Sequence, residues 1–446
     1  MSSVKPRLPK GFRDFLPATM QKREHVFGIV RDVFHLYGFE PLQTPTLELR
    51  ETLFGKYGED AENLIYDAKH QRGEASEPLA MRYDLTVPLA RVVAMYENDL
   101  KLPFKRYQIS PVWRGERPQR GRYREFYQCD ADIVGVASMS ADAELVSLAC
   151  TALLRLGFQT FTVKINSRKL LTAMGIYSGV PSEQLPDLYR SVDKFDKIGA
   201  QGVEKELVER GIAPDVVARM MDLLTVKTHG EGNLDVLEAR MGNLPSAQEA
   251  ISELREMAHH MRLLGVPEAR YDFDFTVVRG LGYYTGPIFE TVITEPNIGS
   301  ISGGGRYDNL IGIFRKESLP TTGISLGIER IIDLMDEFGL YPPSLAQTVV
   351  QVLVTVFDAQ THDESTRLVS ELRQAGIRSE LYMDDGKLKL GKQFAHADKK
   401  GIPLVAILGE DEVAQGVVKL KRLADGNERV VPRDSVASAV QELLQA

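Results

Sequence analysis

The sequence predicts an α+β protein: an antiparallel strand pair with one polar face, a long helical stretch after it, and a βαβ-rich segment beyond a proline linker. Three observations carry this. Residues 104–114 and 124–133 alternate in polarity with a strand's period of two. Residues 171–262 read as mostly helical and charged, without glycine-rich chemistry. After Tyr341-Pro342-Pro343-Ser344, short apolar runs flank one helix face. The 446 residues, at about 150 per domain, fit two or three domains with ample core.

In chain order, Val26, Ile29, Val30, Val33, Phe34 and Tyr37 recur at helical spacing and Gly38 ends the pattern, which predicts an amphipathic helix over 21–37. GFEPLQTP at 38–45 is extended, and its two prolines belong at an edge or interface. In the first strand, Tyr107, Ile109, Pro111 and Trp113 oppose Gln108, Ser110, Val112 and Arg114; in the second, Tyr127, Cys129, Ala131 and Ile133 oppose Arg124, Phe126, Gln128, Asp130 and Asp132. The pair therefore has an apolar underside and a polar floor. Ile251, Leu254, Ala258 and Met261 mark a face within the helical stretch. Strands and glycine turns return over 271–327, and a helix runs from near Ile328 toward Phe338. Beyond the linker, the run 349–356, the face Leu368, Val369 and Leu372, and the strand 404–408 suggest a separate domain.

The hydrophobic fraction of 43% and charged fraction of 26% are those of a globular chain. No apolar run approaches the roughly 20 residues of a membrane span, and the N-terminus lacks the apolar region of a secretory signal; the expectation is a cytoplasmic protein with no membrane partner. Cys129 and Cys150 cannot build a disulfide framework, and His259 and His260 diverge on a helix, so no metal site from protein ligands is expected. A net charge of −8 argues against non-specific nucleic-acid coating but permits local patches. One such patch holds Arg114, Arg117, Arg120, Arg122 and Arg124.

Four segments stand out: MRYDLTVPLAR at 81–91, VWRGERPQRGRYREFYQCDAD at 112–132, RGLGYYTG at 279–286 with SISGGGRYD at 300–308, and GISLGIERI at 323–331. Singly, each has a plain structural reading. Thr86 caps a helix, Asp84 sits in a turn, Gly303-Gly304-Gly305 is a flexible turn, and Glu329 with Arg330 is a surface pair. In this order and at these separations, they resemble the three motifs of class II aminoacyl-tRNA synthetases plus the two histidine-specific segments of the histidyl-tRNA synthetase family. The resemblance spans nearly the whole chain.

The resemblance implies a class II core, a six-stranded antiparallel catalytic sheet flanked by helices, over 1–170 and 263–340. It implies a helical insertion over 171–262, a linker at 341–346 and a C-terminal α/β anticodon-binding domain over 347–446, in a homodimer joined through motif one. Its implied substrates are histidine, ATP with substrate-associated Mg²⁺, and tRNA(His). Asp84, Thr86 and Gln128 would hold the α-amino group; Asp132 and Tyr284 would grip the imidazole nitrogens; Tyr283 would line that pocket and Tyr307 support it. Arg114 and Arg330, with Arg122, would bind ATP, and Arg279 would meet the histidine carboxylate and α-phosphate, making Arg114 and Arg279 the catalytic pair. Arg117 and Gln119 are the candidates for the tRNA acceptor end, and Lys387, Lys389, Lys392 and Gln393 for the anticodon stem-loop.

The chemistry asks for these residue types. A carboxylate attacking the α-phosphorus brings two anions together, so fixed positive charge must stand where negative charge accumulates. Arginine stays protonated and clamps oxygens bidentately. One position departs from the family pattern: Gly282 stands where an acidic residue is usual, which removes a carboxylate from the rim of the site or its support.

Two other readings compete. A regulatory histidine-binding paralogue that controls ATP phosphoribosyltransferase typically lacks the anticodon-binding domain and the ATP-binding arginines; this chain keeps a domain after Pro343 and keeps Arg114, Arg279 and Arg330. Gly323-Ile324-Ser325-Leu326-Gly327 also fits the G-x-S-x-G elbow of a serine hydrolase, but Asp358 with His362 or His396 would be forced partners.

Overall fold

The computed structural model describes residues 4–57, 59–69, 77–279, 282–296, 298–383 and 389–445. They form two compact units: Val26–Leu340 with the N-terminal residues through Arg13, and Tyr341–Ala446 with Asp14–His25.

The larger unit is built on an eight-stranded sheet: β1 (Glu40–Pro41), β2 (Phe104–Trp113), β3 (Glu125–Val134), β4 (Thr162–Ser167), β5 (Tyr271–Phe273), β6 (Pro287–Val292), β7 (Ser302–Arg306) and β8 (Thr321–Leu326). Their spatial order is β1-β2-β3-β8-β7-β6-β4-β5. The inner six are antiparallel, and the two short edge strands β1 and β5 pair parallel to their neighbours. The sheet is therefore larger and more mixed than the six antiparallel strands expected. Glu40–Pro41 joins as an edge because proline cannot donate into a central ladder.

The helix Pro17–Leu36 and the helix Ser140–Arg155 belong to the apolar side of this sheet. Phe34 lies 5.1 Å from Tyr107, Phe27 lies 5.2 Å from Tyr127, and the Tyr37 hydroxyl meets Ser147 and Thr151 at 2.9 and 2.8 Å. Asp142, on the second helix, is fully buried yet satisfied by Arg306 and by Thr322 at 2.8 Å, as a buried carboxylate must be. Gly38, with φ 72°, carries the chain out of the first helix. The helical stretch belongs to this unit; its last helix, Pro245–Leu263, packs against Ser140–Arg155 and β4. A small sheet of Leu47–Leu49, Asp67–Ala68 and Leu79–Met81 stands before the helix Thr86–Met95.

The smaller unit holds β9 (Val352–Val354), β10 (Ser379–Leu381), β11 (Leu404–Ile407), β12 (Val417–Arg422) and β13 (Glu428–Pro432), in the order β10-β9-β11-β12-β13. The first three are parallel, the last two antiparallel. The helix Ala359–Gln374 follows β9 and buries Leu368, Val369 and Leu372 in the core. No helix in the described residues is long and apolar enough to cross a membrane.

Candidate active site

Strand register lays two rows of residues across the polar face of the large sheet. One runs Gln108, Asp130, Ser325, Gly303, Glu290 and Lys164 over β2, β3, β8, β7, β6 and β4. The next runs Arg106, Asp132, Gly323 and Gly305. Directly opposed residues share a face, so their side chains meet. The glycines open gaps in the rows. A Cβ on Gly323 would collide with the Asp132 carboxylate, and one on Gly303 with the Arg279 guanidinium.

The deeper part of the site is lined by carboxylates and tyrosines. Asp84 precedes the helix Thr86–Met95, and its Oδ1 accepts the backbone N–H groups of Thr86 and Val87 at 3.2 and 3.1 Å and the Tyr57 hydroxyl at 2.8 Å. Its Oδ2 is buried without a hydrogen-bond partner among the described residues. The turn-and-cap reading and the ligand reading thus fall on different oxygens of one carboxylate. Asp132 accepts the Tyr307 hydroxyl, and its Oδ2 lies 2.8 Å from Nη2 of the fully buried Arg106. Thr86 is bonded to Tyr283, whose ring lies 5.7 Å from that of Tyr307. Burial pushes Asp84 and Asp132 above the usual carboxylate range, and pushes the hydroxyls of Tyr57, Tyr283 and Tyr307 well up. These tyrosines are neutral donors at any physiological pH.

Beside them lies a cavity of about 190 Å³ whose walls include Gln128 and four arginines, Arg114, Arg122, Arg279 and Arg330. Arg114 donates to the Tyr83 carbonyl at 3.1 Å and stacks over the Tyr83 and Phe126 rings. Arg279 reaches Glu290 at 2.9 Å and is bonded to Tyr284. Among the described residues it alone, glycines aside, has a positive φ, 59°, a conformation held only where surroundings over-determine it. Burial opposes its charge, but Tyr284 and Glu290 more than offset that and hold it above the usual guanidinium value. Arg330 donates to the Ser300 carbonyl and is crowded by Gly121 and Gly299, where any Cβ would press on it. Burial, then the charge of Arg122, lowers its proton affinity. Arg122 pairs with Glu116 at 3.0 Å on the rim.

The structure brings Asp84, Thr86, Gln128, Asp132, Tyr283, Tyr284, Tyr307, Arg114, Arg122, Arg279 and Arg330 to one region of this sheet face. Several details differ from the sequence reading. Tyr284 engages Arg279, and Asp132 has an arginine partner of its own. Arg117 and Gln119 are exposed on the loop between β2 and β3, where Gln119 and Arg122 exchange backbone bonds at 3.0 and 2.9 Å. Gln393 does not fit as an anticodon contact: it is fully buried and spends its amide on the Val356 backbone at 3.0 and 2.6 Å. Lys389 and Lys392 are exposed; Lys387 lies outside the described residues, as do Gly280 and Leu281. Gly282 faces open space, with room for a larger side chain. Ser325 is no nucleophile elbow, for it lies within β8 and bonds Gln128 and Asp130.

Sequence reasoning missed Tyr57, Arg106, Glu290 and the pairing of Arg13 with Glu329. Arg106 continues the polar phase of its strand and could have been found there. Glu290 has no such signal, because its meeting with Arg279 depends on the β6–β7 register.

Comparison with known proteins identifies related chains. Residues 11–331 match the family profile described as histidyl-tRNA synthetase, and residues 350–443 the one described as anticodon binding domain. Histidine–tRNA ligase of Aeropyrum pernix is 42% identical over 452 residues, covering 100% of both chains. That of Bacteroides fragilis is 38% identical over 457 residues, covering 98% of this chain and 99% of its own. The crystal structure of histidyl-tRNA synthetase from Nostoc sp. PCC 7120 superposes with a TM-score of 0.85 at 32% identity, over 99% of this chain and 100% of that one.

Proposed function

The chain belongs to the histidyl-tRNA synthetase family, and from that premise we propose how its pocket divides the work of a histidine–tRNA ligase. As such an enzyme it uses ATP to join histidine to tRNA(His).

The ammonium of histidine binds among Asp84, Thr86 and Gln128. The observation that carries this is a pair of buried acceptors without hydrogen-bond partners among the described residues, Asp84 Oδ2 and Gln128 Oε1, a costly arrangement unless a donor arrives to complete it. The imidazole lies toward Asp132 and Tyr283, with Tyr307 fixing the Asp132 carboxylate. Arg279 meets the histidine carboxylate and the α-phosphate, anchored by Glu290 and Tyr284. Arg114 and Arg330, with Arg122 at the rim, take the remaining phosphate charge of ATP. Carboxylate attack on the α-phosphorus forms histidyl-adenylate and expels pyrophosphate, and the fixed guanidinium groups stabilise the charge that builds up. The 3′-hydroxyl of tRNA then attacks the activated carbonyl and releases AMP.

Mg²⁺ supplies charge neutralisation on the triphosphate when it is bound. The neighbouring acids fit a cation held mainly by nucleotide oxygens: Glu116, Glu290 and Glu329 are each engaged by an arginine, Arg122, Arg279 and Arg13. The exposed Arg117 and Gln119 extend toward the acceptor end, and the exposed Lys389 and Lys392 toward the anticodon stem-loop. Dimerisation through motif one rests on family membership; Leu36 and Leu47, which precede and follow β1 in the sequence, are exposed. The enzyme acts in the cytoplasm, where its tRNA is.

Replacing Arg279 by lysine tests the division of labour, since a point charge cannot reproduce a planar clamp held by two partners. Arg279→Lys should lower kcat for histidine-dependent pyrophosphate exchange at least tenfold, by about 1.4 kcal/mol or more, with the melting temperature nearly unchanged. Near-normal exchange in the folded variant would remove Arg279 from the role.

A further inference from the structure

The carboxamide of Gln128 is held on one side only. Its Nε2 donates to Ser325 Oγ at 3.2 Å and to Asp130 Oδ1 at 3.4 Å, while Oε1 is buried and lacks a hydrogen-bond partner among the described residues. Ser325 and Asp130 are direct cross-strand partners on β8 and β3, and the Ser325 hydroxyl is bonded to Asp130 as well. Above about pH 7, where Asp130 is ionised, its carboxylate only accepts. The serine proton therefore goes to Asp130, and the lone pairs of Ser325 are left facing Gln128. Both neighbours of the amide at this end are then acceptors, so the NH₂ group must turn toward them and the carbonyl oxygen away. A flipped amide would set its oxygen against the carboxylate.

We infer that Asp130 is a positioning residue for substrate: with Ser325 it fixes the orientation of the Gln128 amide, so that Oε1 faces the α-ammonium of the bound amino acid. This rests on the reading that Gln128 receives that ammonium. Asp130 does not touch the substrate; it decides which end of Gln128 does. The same geometry explains why a serine stands at position 325 of a strand with no nucleophilic role. A hydroxyl can donate to the carboxylate and accept from the amide at once, whereas a methyl group would leave Nε2 with one distant acceptor.

The test uses the intact chain and L-histidinol, which keeps the ammonium and imidazole but has no carboxylate to react. Histidinol affinity, the KM for ATP and the melting temperature at pH 8 are measured for the unmodified protein, Asp130→Asn, Ser325→Ala, Gln128→Ala and Asp130→Asn with Gln128→Ala. Asparagine can present either end to Gln128, so the lock is lost without loss of volume. Asp130→Asn should weaken histidinol about tenfold, the scale of one charge-assisted hydrogen bond. Ser325→Ala should weaken it by a smaller factor, and the KM for ATP should stay within about twofold in both. Asp130→Asn added to Gln128→Ala should have no further effect on histidinol. Melting at pH 8 should not fall in Asp130→Asn, whereas a merely structural role would lower it. An undiminished effect of Asp130→Asn in the Gln128→Ala background would overturn the inference, as would equal weakening of histidinol and ATP. If Gln128→Ala weakens histidinol and Asp130→Asn does not, the inference alone falls. If Gln128→Ala itself leaves histidinol untouched, the assignment of Gln128 falls first and carries the inference with it.

Discussion

The Arg279 guanidinium occupies the space that a side chain on Gly303 would need. Gly303 lies between Glu290 and Ser325 in the same cross-sheet row, so its missing side chain is what lets Arg279 lie on the sheet and reach Glu290 at 2.9 Å. Gly303→Ala should therefore displace a flexible arginine rather than unfold a strand. Pyrophosphate exchange should fall at least tenfold while the melting temperature changes little, as measured by exchange kinetics and thermal unfolding on one preparation. Unchanged exchange would mean that Arg279 acts from another position.

Asp132→Asn separates two roles that the structure joins. On the sequence alone the substitution is expected to weaken histidine and spare stability. Arg106, wholly buried and 2.8 Å from Asp132 Oδ2, changes that expectation. Breaking a buried ion pair leaves an uncompensated charge and costs about 3 kcal/mol or more. Asp132→Asn should lower the melting temperature by several degrees and also raise the KM for histidine roughly tenfold or more, with the KM for ATP little changed. A stability loss without a selective histidine defect would reduce Asp132 to a partner of Arg106.

Burial, then the charge of Asp132, pushes the Asp130 carboxyl up to about 7; Arg106 and the Ser325 bond pull it the other way, and Asp84 adds to the rise. A folded pKa above the unfolded one means that ionisation costs stability above about pH 7. The cost is relieved as the folded state takes up its proton between pH 7 and 4. Asp130→Asn should therefore raise the melting temperature at pH 8, and the gain should shrink toward pH 5. A gain that is constant with pH, or a loss at pH 8, would contradict a raised Asp130 pKa.

Deleting residues beyond Ser344 removes the anticodon-binding domain but keeps Tyr341, whose ring lies 6.2 Å from that of His25. The larger unit has its own core and carries every residue of the pocket. The truncated enzyme should retain pyrophosphate exchange within about threefold and lose more than tenfold in charging of tRNA(His). Equal losses in the two assays would show that the pocket depends on the removed domain.

Much of this site was legible in sequence because its strands announce their faces. The alternation over 104–114 and 124–133 puts Gln128, Asp130 and Asp132 on one floor, and β2 and β3 have that register. The helix from Ile328 and the βαβ pattern beyond the linker were equally readable from periodicity. What strand periodicity does not carry is which strands become neighbours. Gly303 reads in sequence as a flexible turn, yet it lies in β7, and the Arg279 guanidinium fills the gap it leaves. The edge strands β1 and β5 are too short to show alternation. Gln393 misleads for a different reason: it lies near exposed lysines in sequence but faces inward on its helix, where Val356 uses both ends of its amide.

As proposed, two acceptors without hydrogen-bond partners among the described residues, Asp84 Oδ2 and Gln128 Oε1, beside four arginines, form the pocket that activates histidine with ATP. The most direct test is exchange of labelled pyrophosphate into ATP by the intact protein, with histidine and each other amino acid supplied in turn. Exchange should depend on histidine and be at least a hundredfold slower with any other amino acid. Exchange supported equally by a second amino acid, or none with histidine from folded protein, would contradict that role of the pocket.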